Sequence, residues 1–265
     1  METMTRPDAA ESRGDLVVRD DETGFTALRD AALACRRRGT RLRLVDSGRL
    51  PAFELEWLGE AGAEIYTSDL ARRSLADIIR MNAASRKGGA STSFFHHGLL
   101  AGETAEATIG FEGLREMGRS GVHPAVSNKA RPREFDLLIV LAGDAARGRS
   151  RLVYYHHGAL DPRLDDLGRS GVWIHVAATS LGAAEDAVRI VDVARAAAAA
   201  GAGVVLHVDL AVEPSRIEDF LAAGGFAFFH LPPSDYRSPL RPLEERAARR
   251  PPNPRSGYLY PEFMR

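Results

Sequence analysis

The chain has 265 residues, 45% hydrophobic, 27% charged and 7% aromatic, with Lys+Arg 35 against Asp+Glu 36. This is the composition of one globular domain, and the net charge of −1 excludes a uniformly basic nucleic-acid coat or an acidic tail protein. One cysteine, Cys35, excludes a disulfide framework.

Residues 1–14 carry no hydrophobic period and read as a disordered tail. From there, β-branched or aromatic runs alternate with Ala/Leu/Arg-rich amphipathic stretches. Strands are predicted at Leu16–Arg19, Arg41–Asp46, Glu64–Thr67, Ser91–His96, Val122–Ser127, Arg151–His156, Val172–Ala177, Val204–Asp209 and Phe226–His230. Helical patterns between them include Phe25–Arg38, Ser74–Arg86, Pro132–Arg147 and Ala183–Ala200. Phe135–Gly148 holds the apolar run LLIV and could be a strand. It aligns with Phe25–Gly39 (aromatic start, similar length, closing glycine), so it is taken as a buried helix.

Gly39, Gly62, Gly121 and Gly171 each close a helical pattern before a strand, as helix C-caps do. Val45–Asp69, Phe94–Asn128, Tyr155–Ser180 and Val208–His230 read as copies of one unit: strand, short helix, strand, long helix. Four units give eight strands. The fold class is therefore α/β, a parallel (β/α)8 TIM-barrel-like fold with an N-terminal extra strand and helix and a Pro/Arg-rich C-terminal tail. Residues 15–250 form the barrel-like domain and 251–265 an extension. The ninth strand, Leu16–Arg19, is either a lid or a sign that the sheet is not a regular eight-stranded barrel. An open doubly wound sheet is the alternative.

All eight histidines fall in predicted strands or at their C-terminal ends, the ligand face of parallel α/β folds. Aligning the copies places Asp46, His96, His156 and Asp209 on alternate strands. Two carboxylates and two imidazoles converging on the axis would act as catalytic groups or hold a divalent metal, zinc, manganese or iron. In FFHHG and YYHHG only one histidine of each pair can face the axis. At the other strand ends, Ser68, Asp69, Asn128, Lys129, Thr179, Ser180 and His230 are candidates for helix caps or for binding an anionic substrate.

No GxGxxG, GxxxxGK[ST] or GxSxG occurs, so no nucleotide cofactor or nucleophile elbow is indicated. Tyr154–Arg189, with YYHH followed by WIHVAATSLGAAEDAVR, is similar to the middle of class I 3-dehydroquinate dehydratases, barrels of comparable length. That family forms a Schiff base through a strand lysine. Here Ile174 or His175 takes the corresponding place, and neither Lys87 nor Lys129 falls in that strand. The likeness is that of one barrel unit to another, and it leaves the covalent mechanism without its residue.

Eight of the fourteen prolines lie between Pro232 and Pro261, and from Arg237 to Arg265 seven arginines face three glutamates, a local charge of +4. This segment, with Tyr258, Tyr260 and Phe263, reads as a tail packed on the barrel, a homo-oligomer contact, or an arm for nucleic acid. No membrane span or signal peptide is visible, and a cytoplasmic location is expected. The functional expectation is a metal-assisted or acid/base enzyme (hydrolase, lyase or isomerase) acting on a small polar substrate. The alternatives are a nuclease or RNA-binding barrel, and a non-catalytic assembly or regulatory protein.

Overall fold

The computed structural model describes residues 15–98, 100, 109–182, 184–208, 213–230 and 240–249. Its strands are β1 Leu16–Arg19, β2 Leu42–Val45, β3 Glu64–Ser68, β4 Thr92–His96, β5 His123–Ser127, β6 Val153–His156, β7 Trp173–Ala177, β8 Val204–Val208 and β9 Phe226–Phe229. The helices between and after them are α1 Phe25–Arg37, α2 Ala52–Glu60, α3 Leu75–Lys87, α4 Phe111–Ser120, α5 Phe135–Arg147, α6 Leu164–Arg169, α7 Ala184–Ala199, α8 Pro214–Ala222 and α9 Arg241–Ala248. A short 3-10 turn, Ala178–Ser180, precedes α7. Among the described residues no helix is long and apolar enough to cross a membrane.

The strands form one parallel sheet in sequence order, β1 to β9, each paired with the next. A doubly wound sheet reverses its strand order at a switch point, and this sheet does not. Right-handed crossovers that always step in one direction place every helix on one face. That face carries Leu42, Leu44 and Ile65 against α1 and α2 residues, and Tyr154 with its ring edge-on to Phe135 of α5.

The opposite face is buried as well, and among the described residues no second layer of helices covers it. Tyr66, Phe95, Tyr155 and His175 are all but inaccessible. The rings of Phe95 on β4 and Tyr155 on β6 lie 6.2 Å apart across the small Ala125 of the strand between them. Flat neighbouring strands sit about 4.8 Å apart, so a contact two strands away marks a concave face. The fold is parallel α/β and (β/α)8 barrel-like. The Leu16–Arg19 segment is a full ninth strand, paired with β2 through four residues, and not a lid. Among the described residues no pairing joins β9 back to β1 or β2.

Phe135–Arg147 is a helix, as its glycine-closed pattern predicts. Its buried residues, Phe135, Leu138, Leu141, Ala142 and Ala145, recur at three- and four-residue intervals while Val140 is exposed. α5 lies against α4 so closely that a Cβ on Gly148 would stand 2.0 Å from the Gly118 carbonyl oxygen. The same helix pair is tied by Asp144, fully buried between Arg115, Arg119 and Arg147. Burial alone would raise its pKa. The three guanidinium groups reverse that and hold it down to about 2.

Candidate functional site

Successive residues of a strand point to opposite faces. Tyr154 packs on a helix, so His156 shares the helix-facing side and Tyr155 the concave one. On β4, Thr92 is bonded to α3, its N–H donating to Asn82 Oδ1 and its hydroxyl meeting the Ser85 hydroxyl. Phe94 and His96 follow it on that outer side.

The three described members of the expected quartet, Asp46, His96 and His156, therefore do not share one space. Asp46 accepts a bidentate pair from Arg72 (2.8 and 2.9 Å), the Thr67 hydroxyl at 2.7 Å and the Gly48 N–H at 2.9 Å. All its acceptor directions are taken by structure. His96 is fully buried, its Nε2 2.7 Å from the Ile109 carbonyl, and burial lowers its pKa. His156 donates from Nε2 to the Ala159 carbonyl at 2.8 Å, and burial lowers its pKa too. His96 is thereby tied to the residues just before α4, and His156 to the turn after β6. Asp209 lies outside the described residues. Among the described residues no three His, Cys, Asp or Glu side chains are grouped as a metal would require. Asp46, His96 and His156, each closed on its own partners, do not fit a metal.

The anion candidates mostly cap. The Ser68 hydroxyl accepts the Ala71 N–H at 3.3 Å. Asp69 accepts the His97 and Gly98 N–H groups and the His97 ring, at 2.7 to 2.9 Å. Burial opposes its charge, but these donors keep its pKa lowered. Asn128 clamps the next HHG turn in the same way, accepting the His157 N–H at 2.7 Å and donating to the His157 carbonyl at 3.0 Å. Lys129 and Thr179 are exposed, and the Ser180 hydroxyl is buried without a hydrogen bond among the described residues.

The concave face holds what the alignment of copies missed. His175 on β7, His207 on β8 and His230 just past β9 form a hydrogen-bonded file. His175 Nδ1 meets His207 Nε2 at 2.8 Å, and His207 Nδ1 meets His230 Nε2 at 2.8 Å. Register creates it. Tyr155 pairs with His175, but His207 pairs with Ala177, one step higher, and His230 lies a further step beyond Phe228. The file climbs from the core to the strand ends: His175 is 0% exposed, His207 5%, and His230 is exposed. The Tyr155 ring packs at a tilt on His175, with ring centroids 4.5 Å apart. Burial, then the charges of His230 and His157, push His207 down to about 3. His207 is therefore neutral near pH 7, with one N–H to give and one lone pair to receive. Taking up a proton at one ring nitrogen while releasing one from the other would pass a proton between His230 and His175.

The ends of β4 and β5 are basic. Arg133 is held by three backbone carbonyls, Ser127 at 2.6 Å, Gly98 at 2.7 Å and His96 at 3.4 Å. Burial and the charge of Arg131 lower its pKa. The Arg131 Nε is itself buried without a hydrogen-bond partner among the described residues. Ser127 and Asn128 link this cationic corner directly to the His157 turn.

No protein-family model matches the chain, and no curated protein matches it significantly. Among solved structures it is similar to 3-dehydroquinate dehydratase from Aquifex aeolicus, with 12% identity over 87% of this chain and 95% of that one and a TM-score of 0.40. It is also similar to a mandelate racemase/muconate lactonizing protein from Herpetosiphon aurantiacus (14%, 80% and 52%, 0.38). A third is a truncated 3-deoxy-D-arabino-heptulosonate 7-phosphate synthase from Thermotoga maritima (17%, 83% and 84%, 0.36). Likenesses this distant carry no information on this chain's chemistry, which rests on its own residues.

Proposed function

We propose that this protein is an enzyme of proton transfer, a lyase or isomerase, acting on a small anionic substrate at the C-terminal ends of its strands. The observation that carries this reading is the pair of 2.8 Å imidazole–imidazole hydrogen bonds joining exposed His230 to buried His175 through His207. A neutral imidazole held between two others gives and takes a proton without a net buried charge, which suits general acid–base catalysis at neutral pH. His230 and His157 at the rim are the groups placed to exchange protons with a substrate. His175 and His207 set their tautomers. Arg133, Arg131 and Lys129 supply the charge that would hold a carboxylate or phosphate.

The test is proton exchange. The full chain is incubated in D2O with a panel of small hydroxy- and keto-acids and their phosphate esters, and C–H signals are followed by NMR. The expected result is catalysed loss of a signal, or a new product, that falls at least 100-fold in His207→Asn, because the link between His230 and His175 is broken. Exchange that is absent across the panel, or equal in wild type and variant, overturns the proposal.

A further inference from the structure

The opposite end of the barrel departs from the chain's own rule. Helices α1 to α8 are each followed by a residue in the left-handed region. In seven cases it is glycine: Gly39, Gly62, Gly89, Gly121, Gly171, Gly201 and Gly224. After α5 it is Arg149, at φ 56°. A Cβ in that region crowds the following carbonyl, and a long side chain there is uncommon and strained. Strain of this kind collects at ligand clamps.

Arg149 borders a shallow depression of about 220 Å³, shared with Arg86, Ser91, Gly121 and His123. Its lining has two guanidinium groups and no carboxylate. Neither Arg86 nor Arg149 has a side-chain hydrogen bond or ion pair among the described residues, whereas nearby Arg115, Arg119 and Arg147 all close on Asp144. A basic residue in the last turn of a helix complements the dipole, which accounts for Arg86 but not for Arg149, already past its helix. Buried His123 accepts the Arg151 N–H at its Nδ1 (3.1 Å), so its neutral ring carries its proton on Nε2. A Cβ at Gly121 would stand 2.5 Å from Arg86 Nη1, so the guanidinium lies directly over that glycine.

We infer that this depression is an oxyanion site, binding free phosphate or the terminal phosphate of a small phosphomonoester between Arg86 and Arg149. Two guanidinium forks offer paired N–H donors to such an ion, with Ser91 in the same lining as a further donor. The site lies at the strand N-termini, away from the histidine file, and does not depend on the catalytic proposal.

Calorimetric titration of the full chain with inorganic phosphate and with glycerol phosphate, at constant ionic strength against chloride, tests it. Saturable binding is expected for wild type, and the tighter of the two ligands identifies the source. Arg149→Gly and Arg86→Ala should each weaken binding at least tenfold, while His207→Asn leaves it unchanged. In chloride alone, Arg149→Gly should melt above wild type, because glycine is the residue the other seven helix ends carry. No saturable binding, or binding that both arginine variants retain, overturns the inference.

Discussion

Asp46 and His207 sit near the same ends of their strands and are both buried, yet they are suited to different work. Asp46 is saturated: two bonds from Arg72, one from Thr67 and one from a turn N–H leave it nothing to offer a ligand. Removing one charge of a buried pair strands the other, at a cost of about 3–5 kcal/mol. Asp46→Asn should therefore lower the unfolding free energy by about that amount, measured by urea denaturation, while Asp46 has no direct part in proton transfer. A loss of activity with unchanged stability would return it to the catalytic site. The sequence shows that histidines crowd the strand ends, but not which histidine of each HHG pair faces inward. Parallel strands buried on both sides are apolar on both, so composition does not mark the concave face. Tyr154 and Tyr155 illustrate this, one packed on α5 and the other lining the interior, both fully buried. The His175–His207–His230 file also depends on a one-step register climb per strand, which no single strand's sequence contains.

Elements were far more legible, because their signals are local. All nine strands fall within the predicted segments to within a residue or two, and the ambiguous LLIV run is a helix, as its closing glycine predicts. Tight α4–α5 packing gives this scale its prediction. Gly148→Ala would drive a Cβ to 2.0 Å from one backbone oxygen and 2.5 Å from another, and neither can move without parting the helices. A loss of about 1–3 kcal/mol is expected, the range for overpacking. Gly143→Ala, in the same helix with nothing within 4 Å of the new atom, should instead gain about 0.5–1 kcal/mol. Chemical denaturation of the two variants side by side checks this. Equal shifts would mean that α4 and α5 are not in this contact.

For the whole molecule, consecutive strand order was implied by the regular strand–helix alternation, and it yields the single helical layer and concave interior that make a buried imidazole file possible. That burial has a consequence for stability against pH. His207 is lowered to about 3 in the folded protein, against an ordinary value of 6.5, and His96 and His156 are lowered in the same direction. Between those values the unfolded chain binds protons that the folded chain refuses, so stability is fully present above pH 6.5 and declines as pH falls toward 3. Each group can contribute up to about 1.4 kcal/mol per pH unit across its window. Asp144 adds a second stage. Its pKa of about 2 against an ordinary 3.8 gives stability that is complete above 3.8 and lost as pH falls toward 2. Melting temperature followed from pH 8 to pH 3 should therefore begin to fall just below pH 6.5, well before ordinary carboxylates titrate. His207→Asn should flatten the curve between pH 6.5 and 4, and Asp144→Asn should alter it only below about 4. A wild-type melting temperature that stays level from pH 7 to pH 5 would show that the concave histidines are not held neutral by burial, and the relay would lose its physical basis.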